Sequence, residues 1–293
     1  MHLFTANCDG SIVKDELFES ATFVGNTIFS TTNPESNHDI TISDVNFNSP
    51  DRPLMLDNGG KGDLTLLGCT FQGPAGVLGG HAIRNDEHAS VSVSDCSFDR
   101  YYSTDEGGAI SNLGYMSIKG SAFSANDWGE HSGSARGSAI YNKDGTLEIE
   151  SSTFTNNFAS YGGAIYSKDG IVTIQSSTFS GHYVYEDGGA IHVDGGSTVI
   201  KKSEFFGNEA AHGTGGGGAI MVIGGGTLEL SDNTFEDNIE WTKIGHVSKS
   251  GGAVVKCPLA NTFLPAGSGK NLCTADDDST ASTSPLCNTV IET

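Results

Sequence analysis

The sequence predicts an all-β chain wound as a right-handed parallel β-helix of about nine coils, and three recurrences carry that expectation. Phenylalanine returns at Phe23, Phe47, Phe71, Phe98, Phe123, Phe154, Phe179, Phe205 and Phe235, with gaps of 24 to 31 residues. Each of these closes a short segment in which apolar and polar residues alternate. A Gly-Gly-Ala-Ile tetrapeptide or a variant of it follows most of them. A unit of about 25 residues made of strands and turns cannot bury an apolar face alone, whereas stacked copies share one continuous core.

The alternating segments are the first element of each coil. Leu64-Thr-Leu-Leu-Gly-Cys-Thr-Phe71, Val91-Ser-Val-Ser-Asp-Cys-Ser-Phe98 and Leu147-Glu-Ile-Glu-Ser-Ser-Thr-Phe154 align without gaps. Apolar-polar-apolar spacing is that of a half-buried strand. The two-residue break before the alternation resumes predicts a corner between two strands. The second element is Gly-Gly-Ala-Ile, intact at Gly107 to Ile110, Gly162 to Ile165, Gly188 to Ile191 and Gly217 to Ile220, with variants ending at Ile83, Ile140 and Val254. Paired glycines suit a turn that enters a strand, and the Ala and Ile after them are expected on opposite faces. The third element is a glycine-bearing turn, as at Lys143-Asp-Gly145, Lys168-Asp-Gly170 and Asp194-Gly-Gly196, where the glycine is expected to take the unusual φ. Each repeat thus holds two or three strands and no amphipathic helix. A β-propeller blade needs about 40 residues or more, so this period is too short for one.

Stacking like on like makes ladders. Phe98, Phe123, Phe154, Phe179, Phe205 and Phe235 are expected to form an internal aromatic column, and Ile110, Ile140, Ile165, Ile191 and Ile220 an aliphatic one. Asparagine stands three residues after the Phe at Asn126, Asn157, Asn208 and Asn238, as also at Asn26. Its amide both donates and accepts, so a stacked column can bridge coils and satisfy turn backbone that water cannot reach. The pattern fails at Pro50, Pro74, Tyr101 and His182. Cys69 and Cys96 occupy equivalent positions in consecutive coils, where two buried thiols are favoured over a strained disulfide. Cys257, Cys273 and Cys287 read as a small disulfide-bearing extension of an exported chain, and the pairing of these and of Cys8 stays open. Residues 1–256 are read as the repeat domain, and 257–293 as a Cys-containing, acidic, Ser/Thr-rich extension.

Composition narrows the function classes. Forty glycines, seven prolines and 36% hydrophobic residues describe a turn-rich chain with enough apolar side chains for a core. A formal charge of −21, from 36 acids against 15 bases, argues against a nucleic-acid partner, which requires a basic footprint. No apolar run approaches the roughly 20 residues of a membrane-spanning helix, and the first residues lack a secretory leader's basic and apolar regions. An export signal already removed, or a piece of a longer secreted chain, is the expectation.

Gly-Gly-Ala-Ile alternating with Phe-x-x-Asn over residues 16 to 255 resembles the repeat region of the chlamydial polymorphic membrane proteins, which the same two tetrapeptides define. The resemblance covers about four fifths of the chain. It implies a surface-exposed β-helix with an adhesive role, extracellular or at the cell surface. The outer-membrane barrel of full-length members has no counterpart in this sequence. Cys257-Pro-Leu-Ala-Asn-Thr-Phe-Leu-Pro with Cys273 is similar instead to Cys-rich ephrin-receptor-like modules, implying part of a larger surface protein.

Function is sought where repeat length varies, between each Phe-x-x-Asn and the next glycine pair. That edge collects Tyr101, Tyr102, Trp128, Tyr161, Tyr183, Tyr185, Glu186, Asp187 and Trp241. Aromatic rings beside carboxylates suit sugar stacking or cation binding, so these are the candidate ligand-binding residues, with a surface glycan or protein as the partner. No catalytic residue and no cofactor is predicted. Calcium has weaker support from Asp105-Glu106 and Glu186-Asp187, which belong to coils three apart and so would not share an ion. Asp276-Asp277-Asp278 is read as a solvated acidic loop. The alternative is a polysaccharide lyase or hydrolase of the pectin-lyase-like fold, which would need converging carboxylates or a base beside a cation.

Overall fold

Alternation and turn chemistry dictate how each coil closes. The computed structural model describes residues 39–48, 55–58, 63–73, 81–103, 106–128, 135–211 and 216–241, and backbone strands at 17–19, 22–24, 28–30, 247–248, 255–256 and 271–274. Among the described residues there is no helix. Every coil contributes one strand to each of three long sheets. The first runs from Leu17–Glu19 through Ser90–Ser94 and Thr146–Glu150 to Thr227–Ser231, the second from Thr22–Val24 to Thr234–Glu236, and the third from Ile28–Ser30 to Val255–Lys256. The second and third sheets each have nine strands, and each strand pairs in parallel with the equivalent strand of the next coil. At roughly 4.8 Å per rung, nine coils give a rod about 40 Å long.

Two segments close the far end differently. Asn271–Thr274, from the C-terminal extension, lies antiparallel on Thr227–Ser231 as the tenth strand of the first sheet. Val247–Ser248 lies antiparallel on Ile239–Trp241. These two are the antiparallel pairings among the described strands.

Between the first and second sheets the chain turns on one residue with positive φ. Asp44, Gly68, Asp95, Gly120, Ser151, Ser176, Lys202 and Asp232 fill this corner with φ of 49–60°. Asp, Asn and Gly tolerate that region best, which explains much of the usage here. The next residue points inward and forms a polar column within the apolar core: Cys69, Cys96, Ser121, Ser152, Ser177, Ser203 and Asn233. Each backbone N–H donates to the side chain one coil on. Cys96 N reaches Ser121 Oγ at 3.1 Å, Ser121 N reaches Ser152 Oγ at 3.2 Å, and Ser203 N reaches Asn233 Oδ1 at 2.8 Å. Each hydroxyl in turn donates to the carbonyl two residues earlier, as Ser152 does to Glu150 at 2.9 Å. Corner N–H groups that no sheet can pair are thereby satisfied, as buried backbone requires. Cys69 and Cys96 are free, buried members of this column, with Cys69 N at 3.3 Å from Cys96 Sγ. Cys8, Cys257 and Cys287 lie outside the described residues, as does the side chain of Cys273.

The aromatic column runs from Phe47 to Phe235 with ring centroids 4.5–4.9 Å apart and planes within 10° of parallel. Opposite it, Ile83, Ile110, Ile140, Ile165, Ile191 and Ile220 are fully buried in register on the third sheet.

Two local expectations need correction. Ala and Ile of Gly-Gly-Ala-Ile do not face opposite ways into core and solvent, because Ala109, Ala139, Ala164, Ala190 and Ala219 are buried in the same core cluster as the isoleucines. The alanines sit in a bend ahead of the strand, where period-two alternation does not apply. In the Lys143-Asp-Gly145 and Lys168-Asp-Gly170 turns the positive φ falls on Asp144 (56°) and Asp169 (53°) and not on the glycine, whereas in Asp194-Gly-Gly196 both glycines take it, at 76° and 69°. Gly145 is needed for close approach instead: a Cβ there would stand 2.8 Å from both Asn112 Nδ2 and the Gly114 carbonyl.

Candidate functional site

From Phe98 onward the chain turns again after the Phe on a positive-φ residue, Arg100, Ala125, Asn156, Gly181, Gly207 or Asp237, and the next side chain enters the core. Asn126, Asn157, Asn208 and Asn238 are buried there. Asn208 is typical: its Nδ2 donates to Asn238 Oδ1 at 2.7 Å and to the Phe179 carbonyl at 3.0 Å, and its N–H donates to Asn238 Oδ1 at 3.1 Å. Of the four positions that break the sequence pattern, Tyr101 and His182 join the same column, and Pro50 and Pro74 lie outside the described residues. Tyr101 N donates to Asn126 Oδ1 at 3.0 Å, Asn157 N donates to His182 Nδ1 at 3.0 Å, and His182 N donates to Asn208 Oδ1 at 3.2 Å. Tyr101 is therefore no loop aromatic. It is 0% exposed, with its hydroxyl buried and unpartnered, and burial pushes that phenol above its ordinary range. The expectation that it faces a ligand fails, because the corner needs an inward side chain at that position. It offers no surface.

Beyond this corner a narrow fourth sheet carries the variable edge: Phe158–Ala159, Tyr183–Val184, Glu209–Ala210, Ile239–Trp241 and Val247–Ser248. Ala159, Val184 and Ala210 face inward as a small apolar cluster, so Phe158, Tyr183 and Glu209 face out. Tyr183 stacks on Phe158 at 5.1 Å, and Tyr185, 41% exposed, meets both rings edge-on at 5.6 and 5.9 Å. Burial, with the Glu209 carboxylate close by, raises the Tyr183 hydroxyl above its ordinary value. Asp187 accepts the Gly216 N–H at 2.6 Å, a turn-building bond, and the Glu186 N–H donates to the Ser160 carbonyl. Tyr102 and Trp128 lie on the adjacent two-stranded pair, where Ser103 is in register with Trp128. The side chains of Trp128 and Trp241 lie outside the described residues.

A second surface, the outer face of the third sheet, was not singled out by sequence. The residue after each third-sheet isoleucine points outward there, giving the rank Arg84, Ser111, Tyr141, Tyr166, His192 and Met221. Tyr141 and Tyr166 stack at 5.8 Å and Tyr166 and His192 at 4.8 Å, and Tyr161 packs edge-on against His192 at 5.4 Å. Glu106, Arg136 and Tyr161 run alongside in successive coils. Arg136 pairs with Glu106 at 2.8 Å and lies over the Tyr166 ring at 5.4 Å, while Tyr166 donates to Asp194 Oδ2 at 3.0 Å. Burial first, then the neighbouring Asp194, holds the Tyr166 hydroxyl well above its ordinary value. Burial likewise pushes His192 down to about 4, and its Nδ1 faces the Asp187 carbonyl at 3.3 Å, so the ring is neutral with its proton on Nδ1. Of this surface only Tyr161 stood among the sequence candidates. A signal was present, since Tyr141, Tyr166 and His192 each follow the tetrapeptide's isoleucine directly.

Among the described residues no group of three or more His, Cys, Asp or Glu is placed to hold a metal ion. Glu106 is taken up by Arg136, Asp105 lies outside the described residues, and so do Asp276, Asp277 and Asp278. No described helix is long and apolar enough to cross a membrane.

No curated protein and no solved structure matches this sequence. A family model described as right handed beta helix region matches residues 26–235, more than two thirds of the chain. With its nine-rung parallel sheets, its single-residue corners and that match, the chain belongs to the right-handed β-helix family.

Proposed function

We propose that this β-helix is a non-catalytic extracellular or cell-surface module, part of a larger surface protein, that binds a glycan or protein ligand along its loop-decorated edge. The observation that carries the reading is the Phe158, Tyr183 and Tyr185 group, held at fixed spacing on the fourth sheet with the Tyr185 ring 41% exposed. Aromatic faces fixed on a rigid rod are suited to stacking on sugar rings or anchoring a protein contact. The interior ladders are accounted for by folding alone, which leaves the variable edge as the part free to differ between ligands. The similarity to surface-exposed adhesive repeats points the same way.

The alternative, a polysaccharide lyase or hydrolase, has one arrangement in its favour: Arg136, Tyr166 and Asp194 meet on one sheet face as a cation, a phenol and a carboxylate. Its weakness is chemical. Tyr166 is almost fully buried and its phenol is pushed above its ordinary value, the wrong direction for a general base at neutral pH.

The test is a glycan and protein array probed with the parent chain and with a Tyr183→Ala/Tyr185→Ala variant, alongside lyase and hydrolase assays on acidic and neutral polysaccharides. Loss of at least about ten-fold in affinity with an unchanged melting temperature is expected, the worth of one or two stacked rings. Full binding by the double variant, or polysaccharide cleavage abolished by Tyr166→Phe, overturns the reading.

A further inference from the structure

Along the outer rank of the third sheet every described position from Arg84 to Met221 carries a long side chain except one. Ser111 lies in register between Arg84 and Tyr141, and the missing bulk leaves a recess of about 340 Å³ bounded by His81, Arg84, Glu106, Ser111, Tyr141 and Lys143, with Leu113 at one side. That volume is at the lower end of small-molecule sites and suits a ligand the size of one or two sugar rings.

The charge around the recess is unlike that of the rest of the chain. Glu106 is already neutralised by Arg136 at 2.8 Å. Arg84 engages Asp86 through Nε alone, at 3.3 Å, with both groups well exposed. Lys143 has no carboxylate partner among the described residues and stacks in register on Lys168, likewise unpaired, one coil on. Two unpaired lysines on adjacent rungs repel each other, so the arrangement gains from an anion between Lys143 and Arg84. Asp144, next after Lys143, limits the positive potential to the recess itself. A chain with a net charge of −21 repels an extended polyanion at long range, which selects for a ligand with one negative group on an otherwise neutral body.

We infer that the Ser111 recess binds a single acidic sugar unit of an otherwise neutral glycan, its carboxylate held between Arg84 and Lys143 and its ring seated where neighbouring coils carry a tyrosine. This rests on the reading of the chain as a glycan-binding module and adds a second contact point, one sheet away from Tyr183 and Tyr185. Arg84 can offer its terminal nitrogens as a fork to a carboxylate, and Lys143 a point charge.

The probes are methyl glucuronide, methyl N-acetylneuraminate glycoside with its free carboxylate, neutral methyl glucoside, and a long polyglucuronate, titrated into the full chain by ligand-observed NMR. Variants are Arg84→Gln, Lys143→Gln and Ser111→Tyr. The last gives the rung the side chain its neighbours at 141 and 166 already carry, so it fills the recess without disturbing the fold. Binding of at least one acidic monosaccharide is expected, weakened about ten-fold or more by either charge-removing variant, as loss of a charge-assisted hydrogen bond predicts, and abolished by Ser111→Tyr. Equal binding of methyl glucoside, binding of polyglucuronate tighter per sugar than of the monosaccharides, retention in Ser111→Tyr, or no binding of either acidic probe overturns the inference. An array ligand that depends on Tyr183 and Tyr185 but not on Ser111 leaves the aromatic edge standing while this recess falls. Loss of both removes the glycan reading itself.

Discussion

His182 stands where other coils place an asparagine, and the substitution couples stability to pH. Its Nδ1 accepts the Asn157 N–H, so the proton of the neutral ring sits on Nε2, which is buried without a partner. Burial pushes its pKa down to about 3, and the backbone at Asn157 and Phe154 offsets this only in part. The unfolded chain takes up a proton near pH 6.5, and the folded chain resists until about pH 3. Stability from this residue is therefore full above about pH 6.5 and is lost progressively as the pH falls toward 3, a few kcal/mol in all. His182→Asn restores the amide column and leaves nothing to protonate. Urea midpoints at pH 7 and pH 4.5 should differ less in that variant than in the parent, with His192 still contributing to the remaining difference. An undiminished difference would show that His182 is not the buried base. Tyr101 carries a related lesson. Its place in the repeat, three residues after Phe98, was the better guide to its environment than its aromatic character, because the corner geometry fixes which way position 101 points.

The turn elements show which local rules were visible in sequence and which were hidden. The phenylalanine and isoleucine columns were legible because apolar residues at a fixed period leave few ways to bury them. The inward serines at 121, 152, 177 and 203 were legible in direction, since the alternation resumes at them and ends on the Phe, but not in partner: serine is ordinarily a surface or turn residue, and the N–H that each receives from the preceding coil shows only in the structure. The outward Tyr141, Tyr166 and His192 were hidden for the opposite reason: buried aromatics on a strand read as core, and here Arg136 and Tyr161 pack over the outer face of the sheet. The tetrapeptide's first glycine is a stricter requirement than a glycine at the corner after the Phe. Gly162 has φ of 59°, and a Cβ there would overlap the Ile165 carbonyl. Gly162→Ala should cost about 1–3 kcal/mol by thermal or urea unfolding, the range for a strained left-handed residue. Gly207, with φ of 59° but open space around it, should tolerate alanine at a smaller cost. Equal losses at the two positions would mean that backbone φ alone, and not crowding, sets the penalty.

In the molecule as a whole, a long core is set against a large uniform charge. Thirty-six acids against fifteen bases on a thin rod repel one another, and the exposed ion pairs described, Lys119 with Glu150 for example, offset little of that. Raising salt from about 0.01 M to about 1 M shortens the Debye length from about 30 Å to about 3 Å and should raise the melting temperature. A fall would mean that specific ion pairs outweigh the general repulsion. The same scale explains why fold was easier to read than activity. Nine repetitions reinforce each architectural signal, whereas a binding recess such as the one at Ser111 arises from a single departure in a single coil.

The two polar columns have a direction. In each, the coil nearer the N-terminus supplies a backbone N–H, and the coil nearer the C-terminus supplies the side chain that receives it, as in Ser121 to Ser152 and His182 to Asn208. Cutting the rod leaves both ends with unpaired sheet backbone, as when Thr153 N loses the Ser121 carbonyl of the coil before it. The columns add a difference between the two ends. A cut that removes earlier coils orphans their side-chain acceptors, which an apolar substitution can mend, and one that removes later coils orphans corner N–H groups, which no substitution short of proline can remove. Either end needs a covering strand, and the far end also needs acceptors for its corners.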